Sequence, residues 1–191
     1  HSVVADQGQP IVLASKSPRR LELLSRIGIV PEVVPADIDE TPREREDALS
    51  YVQRVAREKA IAVSQRVAED RTVIAADTTV DLDGMILGQP VDSDDSRRML
   101  RLLSGRTHRV HTCVVVVKDG EVASDVVTSL VTFQPLLPTT IEWYIGTGEP
   151  VGKAGSYAVQ GLGAALVSKV AGSMTNVIGL PLRETAALLG V

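Results

Sequence analysis

Short runs of β-branched and aliphatic residues alternate along the chain with helical patterns, and this alternation restricts the fold more than any other feature. The runs at residues 11–14, 32–35 and 72–76 predict buried strands. Residues 17–27, 46–68 and 93–103 predict helices with one apolar face. Strands that alternate with helices are typical of α/β domains.

Two Asp-Gly pairs indicate that the sheet is not purely parallel. Asp83-Gly84 separates strand-like residues 79–83 and 85–87, and Asp119-Gly120 separates residues 109–118 from residues 122–133. Asp-Gly between apolar runs is a strong hairpin signal, so we expect antiparallel pairs within a mixed, elongated sheet flanked by helices. Two more helices are expected, one beginning at residues 139–144 and one at residues 183–189.

The domain organisation is simple. Since the chain has 191 residues and shows neither repeats nor a linker, residues 11–191 are expected to form a single domain. Residues 1–10 are expected to be an N-terminal tail. His1-Ser2 is typical of a remnant left by an expression tag.

Composition excludes several classes of protein. The formal charge is −4, basic residues are spread along the chain, and there are only one Trp, one Phe and three Tyr. A nucleic-acid partner, or an RNA-binding module, is therefore disfavoured. Cys113 is the only cysteine, which argues against a disulfide or a cysteine-rich zinc site. Neither a membrane span nor a secretion signal is found, so we expect a soluble cytoplasmic protein without a membrane partner.

The first candidate site is the segment Ser15-Lys16-Ser17-Pro18-Arg19-Arg20, where a strand gives way to a helix. Free N–H groups, the helix dipole and two guanidiniums at this point favour binding of a phosphate. Because Ser17 and Pro18 also make an ordinary helix start, an amphipathic helix with a solvated basic turn explains the pattern as well.

The second candidate is acidic. Asp77 follows the apolar run at residues 72–76, and a loop at residues 37–40 carries Asp37, Asp39 and Glu40. Such carboxylates can bind Mg²⁺ and can activate a water molecule for phosphoryl chemistry. Loop acids are usually only solvated turn residues, whereas a carboxylate at the end of a buried strand is costly unless a partner pairs with it.

Other polar residues have a simpler interpretation. Lys59 lies on a helix face and would by default be solvated, whereas Lys153 lies beside a glycine-rich stretch, residues 152–163, that could wrap a small molecule. His108 and His111 are three apart on a predicted strand, so they should face opposite ways and bind no shared metal.

Taken together, several motifs resemble the Maf family of nucleotide pyrophosphatases over residues 11–189. The motifs are LASKSPRRLELL (13–24), DIDET (37–41), YVQRVAREKA (51–60), IAADTTV (74–80), LSGRTHRV (103–110), YAVQGLGA (157–164) and NVIGLPL (176–182). Their order and spacing make the resemblance specific.

The resemblance implies a fold related to the inosine triphosphate pyrophosphatases, commonly dimeric, with the substrate in a cleft between two lobes. It implies a hydrolase that removes non-standard or excess nucleotides from the nucleotide pool. Such an enzyme cleaves nucleoside triphosphates between the α and β phosphates with a divalent metal, Mg²⁺ or Mn²⁺. The implied roles are a catalytic acid-base carboxylate at Asp77, base preference at Arg19, Thr78 and Gln160, phosphate binding at Ser15, Arg20, Lys59 and Lys153, and metal binding at Glu40 and Asp77.

Two positions refine this expectation. Ala76-Asp77-Thr78 resembles the branch that acts on dTTP and UTP, with CTP and modified pyrimidine nucleotides as further candidate substrates. Gln89 stands where the family usually has a lysine, which should weaken charge stabilisation in the transition state unless Arg97 or Arg98 compensates. The alternative is therefore a nucleotide-binding regulator of cell division with weak or lost catalysis.

Overall fold

The computed structural model describes residues 9–191, so the predicted tag remnant and most of the predicted tail lie outside the described residues. Seven strands, six α-helices and two short 3-10 helices, Ala154–Ser156 and Leu162–Leu166, make up its regular structure. The strands are β1 (Val12–Leu13), β2 (Glu32–Val33), β3 (Val73–Leu82), β4 (Met85–Leu87), β5 (Thr107–Lys118), β6 (Glu121–Phe133) and β7 (Val167–Ala171). The helices are α1 (Pro18–Arg26), α2 (Ala48–Ser64), α3 (Ser93–Leu103), α4 (Pro138–Gly146), α5 (Met174–Ile178) and α6 (Leu182–Leu189).

The strands form one mixed sheet, as the hairpin signals predicted. Its order is β2-β1-β3-β5-β6-β7, and β4 pairs with β3 outside this path. The pairs β1–β2 and β1–β3 are parallel, while β3–β4, β3–β5, β5–β6 and β6–β7 are antiparallel. Asp83-Gly84 and Asp119-Gly120 both have positive φ at each residue, as the two-residue hairpin turn requires. The mixed α/β fold class is thus confirmed.

Strand β3 creates the gap in which the candidate site lies. One of its edges pairs with β5 from Val73 to Asp81. The other edge pairs with β1 at Val73 and Ile74, and with β4 from Val80 to Leu82. Within residues 9–191 no strand covers the intervening stretch, residues 75–79, on that edge. The sheet therefore divides there, and the two parts flank a cleft.

Side-chain alternation along β3 separates two apolar cores. Ile74 and Ala76 join the larger core, which includes apolar residues of α1 and α3. Val73 and Ala75 face the other way and pack against α2, together with Cys113. Because the side-chain period of a strand is two, Asp77 shares a face with Val73 and Ala75, and Thr78 faces the opposite side. Adjacent site residues are thereby directed to different partners.

Several predicted boundaries were wrong. A break was expected at Asp77, but β3 is one continuous strand of 10 residues. The β-branched residues Thr78 and Thr79 extend the strand, since β5 pairs with it throughout. Helix α2 ends at Ser64 instead of residue 68. The sequence analysis also missed the short elements β7 and α5, whose 5 residues each carry little periodic signal.

Among the residues described, no helix is both long and apolar enough to span a membrane.

Candidate active site

A cavity of about 1040 Å³ opens over the uncovered edge of β3. Segments 14–20 and 36–42 form one wall, segments 86–91 and 151–160 contribute another, and residues 77–80 of β3 lie between them. The residues to which the family resemblance gave a role all line this cavity. They are Ser15, Arg19, Arg20, Glu40, Lys59, Asp77, Thr78, Lys153 and Gln160.

Lys59 connects the two predicted metal-binding carboxylates. Its Nζ lies 3.2 Å from Oδ1 of Asp77 and 3.2 Å from Oε1 of Glu40, and it also donates to the carbonyl oxygen of Ala76 at 3.4 Å. The expectation that Lys59 is solvated was wrong: it is buried on the inner face of α2. Since Asp77 faces α2, the two charges neutralise each other within the protein.

The Asp77 carboxyl group is deeply buried but not fully satisfied. Burial raises the pKa of Asp77 above the usual aspartate range, and the nearby charges of Lys59 and Arg20 offset this only in part. Its second oxygen, Oδ2, is buried without a hydrogen-bond partner among the described residues. A buried carboxylate oxygen is costly when unpaired, so this atom is available to a proton, a water molecule or a cation.

Arg20 is held rigidly at the start of α1. Its Nε donates to the carbonyl oxygen of Gly179 at 2.8 Å, Nη1 to Oγ of Ser15 at 3.2 Å, and Nη2 to Oγ1 of Thr78 at 3.0 Å. Burial lowers the pKa of Arg20, an effect that the Asp77 carboxylate opposes. Because a guanidinium carries five N–H donors, two of them remain for an anion in the cavity.

The helix start at this wall follows the predicted pattern. Oγ of Ser17 accepts from the backbone N–H of Arg20 at 3.3 Å, and Pro18 occupies the first turn. Arg19 projects into the same cavity, and burial lowers its pKa. Two adjacent guanidiniums at a helix N-terminus thus give this wall a positive potential.

Thr78 does not present a free hydroxyl group to the cavity. Its Oγ1 accepts from Arg20 and lies 2.8 Å from Oγ1 of Thr112 on β5. Thr112 in turn donates to the carbonyl oxygen of Asn176 at 3.0 Å. Since the Thr112 proton is used there, Thr78 must donate to Thr112. Thr78 therefore orients Arg20 directly.

The glycine-rich stretch supplies part of the second wall through Lys153 and Gln160. The Lys153 ammonium donates to the backbone carbonyls of Glu149 and Val151, both at 3.2 Å. Burial and the neighbouring Arg19 charge lower the pKa of Lys153. The glycines of this stretch also serve packing, because a Cβ on Gly155 would lie 2.7 Å from Cγ2 of Val80.

The neutral Gln89 lies at the exposed rim of the cavity. Of the two alternatives for this position, compensation by Arg97 or Arg98 is not supported by the structure. Arg97 pairs with Glu142 and Asp94, and Arg98 pairs with Asp95, on the surface of α3. Neither arginine lines the cavity.

The histidines have separate partners, as expected. His108 Nε2 lies 2.6 Å from the Tyr157 hydroxyl group, while His111 contacts Thr128 and Asp81. Burial lowers the pKa of His108 to about 4, so it is neutral near pH 7. Within residues 9–191 no group of three or more His, Cys, Asp or Glu side chains surrounds a common point.

Some site residues escaped the sequence analysis. Tyr51 lines the cavity and donates to the backbone oxygen of Glu40 at 2.7 Å. Burial and the charges of Asp77 and Glu40 raise the pKa of Tyr51 to about 12, so it remains a donor. Thr112 lies in a valine-rich strand, where the sequence gives no sign of a role in the site. Its role follows only from its position opposite Thr78 on the neighbouring strand.

Known proteins resemble this chain over almost its whole length. The family model described as Maf-like protein matches residues 10–191. A protein of Anaeromyxobacter dehalogenans called dTTP/UTP pyrophosphatase is 52% identical over 183 residues, covering 94% of this chain and 92% of that protein. Proteins of the same name from Myxococcus xanthus and Chromobacterium violaceum are 51% and 48% identical, over 94% of this chain and 90% and 92% of their own lengths.

A structural neighbour was also found. The Staphylococcus aureus Ham1 protein superposes with a TM-score of 0.44 and 19% identity, over 65% of this chain and 72% of that chain. On the nearly complete match of the family model and on relatives that share about half of its residues, the chain belongs to the Maf-like protein family.

Proposed function

We propose that this protein hydrolyses nucleoside triphosphates to the monophosphate and pyrophosphate, with dTTP and UTP as preferred substrates and CTP and modified pyrimidine nucleotides as further ones. The observation that carries the proposal is the buried Asp77 carboxyl group in a cavity lined by cations. One of its oxygens is hydrogen-bonded to Lys59, and the other has no partner among the described residues. The names of the relatives give the same activity and the same two nucleotides.

The cations of the cavity fit a triphosphate. Arg19 and Arg20 come from the segment 14–20, and Lys153 from the segment 151–160. Cations from two segments can neutralise the charge of a polyphosphate and hold the α-phosphorus in reach of an attacking water. The Gln160 amide lies further along the wall of Lys153 and offers both a donor and an acceptor to a base.

Asp77 is proposed as the general base. A water oxygen attacks the α-phosphorus, its proton passes to the Asp77 carboxylate, and the bond to the oxygen bridging the α and β phosphates breaks to release pyrophosphate. Burial raises the pKa of Asp77, which makes the carboxylate a stronger base than an exposed one. The positive charge of Lys59, 3.2 Å from Oδ1, opposes this rise of the Asp77 pKa.

The residues also fit a divalent cation. Glu40 and Asp77 share Lys59 as a neighbour, and Oδ2 of Asp77 lacks a partner in the described chain. Hard cations such as Mg²⁺ or Mn²⁺ prefer carboxylate and phosphate oxygens and complete their shell with water. A bound ion at these carboxylates would supply charge neutralisation to the phosphates.

The test is pyrophosphate release with Mg²⁺ from dTTP, UTP, CTP, 7-methyl-GTP and ITP. We expect dTTP and UTP to be cleaved fastest, and absence of release from both would refute the proposal. In H₂¹⁸O the label should enter the monophosphate, since water attacks the α-phosphorus; label in pyrophosphate would contradict the proposed cleavage.

The Asp77→Asn variant tests whether Asp77 is the general base. It should lose at least roughly a hundredfold in kcat, as removal of a general base usually does. Asp125→Asn is the matched control, because Asp125 is an exposed carboxylate on β6 and does not line the cavity. Full activity of Asp77→Asn would remove Asp77 from its role.

The alternative function, a regulator that has lost catalysis, is not favoured. The cavity keeps its carboxylates and its arginines, although Gln89 replaces the lysine that is usual in the family. The homodimer, the cytoplasmic location and the lack of a nucleic-acid partner stay predictions.

A further inference from the structure

Glu149 lies behind the cavity wall, and no role predicted from the sequence involves it. Its Oε1 accepts from the Tyr144 hydroxyl group at 2.6 Å and from the backbone N–H of Gly163 at 2.9 Å. Its Oε2 accepts from the backbone N–H of Leu162 at 2.9 Å. One carboxylate thus receives three donors, two of which belong to the glycine-rich stretch. Bonds of this charge-assisted kind are stronger than neutral ones.

Tyr144 extends this contact to the beginning of the same loop. Its side chain is fully buried, and its hydroxyl oxygen accepts from the backbone N–H of Ala158 at 3.0 Å. The carboxylate therefore holds residues 162 and 163 directly and residue 158 through the phenol. Residues 158–163 are fixed at both ends by one acidic group.

The backbone of the loop packs tightly against these two side chains. A Cβ on Gly161 would lie 2.4 Å from Oε2 of Glu149, and a Cβ on Gly163 would lie 2.8 Å from the Tyr144 hydroxyl oxygen. An added side chain would push the Glu149 carboxylate away at position 161, and at position 163 it would also meet the backbone oxygen of Ala158. The contact therefore depends on the two glycines of the loop as well as on the Glu149 carboxylate.

Gln160 and Lys153, which line the cavity on this wall, both depend on Glu149 for their position. Gln160 lies between the two fixed ends of the loop and presents an exposed amide to the cavity. Lys153 donates to the backbone oxygen of Glu149 itself. Movement of Glu149 would therefore displace the cation and the amide together.

We infer that Glu149 is a positioning residue whose carboxylate holds the loop of residues 158–163, so that Gln160 meets the nucleotide base in one orientation. The inference rests on the proposed function, since it names what Gln160 contacts. Glu149 does not line the cavity, so it acts through the loop and not on the substrate. A site that discriminates bases by hydrogen bonds needs donors and acceptors at fixed positions.

The variants Glu149→Gln, Gln160→Ala and their combination test this coupling. Glutamine has one acceptor oxygen and an N–H₂ group that faces an N–H donor of the loop, so it cannot replace all three bonds. We expect Glu149→Gln to raise KM for dTTP about tenfold and to reduce the preference for dTTP over CTP, with a smaller change in kcat. In the Gln160→Ala background the same change should have almost no effect on preference. Independent effects that multiply in the double variant would overturn the inference.

Tyr144→Phe provides a second route if Glu149→Gln folds poorly. It removes only the phenolic oxygen that links Ala158 to the carboxylate, and it should shift substrate preference in the same direction. Glu142→Gln is the matched control, because Glu142 also lies in this region, on α4, but pairs with Arg97 at the surface. Its kinetics should equal those of the wild type.

Two measurements separate this inference from the proposed function. Amide hydrogen exchange should become faster within residues 158–163 in Glu149→Gln, and unchanged exchange there would contradict the inference. In metal-free buffer, where dTTP is bound without turnover, Glu149→Gln should raise the Kd for dTTP. A wild type that binds dTTP but releases no pyrophosphate would refute the proposed function, whereas an unchanged Kd in Glu149→Gln would refute the positioning role.

Discussion

The Nζ atom of Lys59 lies 3.2 Å from Oδ1 of Asp77 and bridges that carboxylate to Glu40. One ammonium group thus stands between two acids at the floor of the cavity. Lys59 lowers the pKa of Asp77, Glu40 raises it, and burial raises it most. The protonation of Asp77 is therefore set by the balance of these neighbours.

The first prediction concerns this balance in the metal-free protein. Removal of the positive charge in Lys59→Met should raise the pKa of Asp77, because the charged carboxylate loses its partner. Removal of the negative charge in Glu40→Gln should lower it. The side-chain ¹³C signal of Asp77, followed by NMR as pH is varied, measures both. Shifts of the same sign in the two variants would contradict the assigned electrostatics.

The second prediction concerns the hydroxyl pair of Thr78 and Thr112. Thr112→Val keeps the shape of the side chain but removes the oxygen to which Thr78 donates. Since Thr78 then loses its orientation toward Arg20, kcat/KM for dTTP should fall roughly five- to tenfold, which corresponds to one hydrogen bond.

The control for Thr112 is Thr185→Val. Thr185 is equally buried, and its hydroxyl group donates to the carbonyl oxygen of Pro181, away from the cavity. Both variants should lose stability, about 1 kcal/mol each, in urea unfolding. If Thr185→Val reduces kcat/KM as much as Thr112→Val does, the role of Thr112 is merely structural.

The third prediction concerns the rim residue Gln89. Gln89→Lys adds a cation to the cavity and should increase kcat/KM about tenfold, because the transition state gains charge stabilisation. Gln53→Lys makes the same change on an exposed site of α2, outside the cavity. Steady-state pyrophosphate release compares the two. Equal rates in Gln89→Lys and Gln53→Lys would show that position 89 does not contact the phosphates.

The fourth prediction concerns the close approach of Gly155 to Val80. Gly155 has a φ of +68°, and a Cβ there would clash with the Val80 side chain at 2.7 Å. Gly148→Ala is the matched control, since Gly148 has a φ of +77° with nothing within 4 Å of an added Cβ. In thermal unfolding, Gly148→Ala should lose about 1–2 kcal/mol from backbone strain alone. Gly155→Ala should lose about 1–3 kcal/mol more, and equal losses would contradict the packing argument.

The structural features that could be predicted from the sequence are local ones. Ser17 and Pro18 begin α1 as expected, and both Asp-Gly turns form the predicted hairpins. The alternation of helical and extended patterns indicated an α/β domain, and the hairpin signals indicated that its sheet is mixed. These features depend on backbone preferences and apolar periodicity, which a chain carries residue by residue.

The burial of Lys59 and the connection from Thr112 to Arg20 could not be predicted in this way. Lys59 is a lysine on a helix, and only the packing of α2 over β3 directs it toward Asp77. Thr112 contributes because β5 pairs with β3 in a register that places it opposite Thr78. Contacts between residues distant in sequence depend on register and packing, which local pattern does not specify.

The sequence by itself determined the identity of the chemical groups, the turns, the helix starts and the alternation that led to a mixed α/β domain. Only the tertiary structure decided that Asp77 and Thr78, which are adjacent in the chain, face opposite sides of the sheet. Asp77 contacts Lys59 there, and Thr78 contacts Arg20. Strand alternation separates neighbours, and the division of the sheet at β3 opens the space between β1 and β4. The physical reason is that a cavity is a product of how strands pair across the chain, and pairing is non-local.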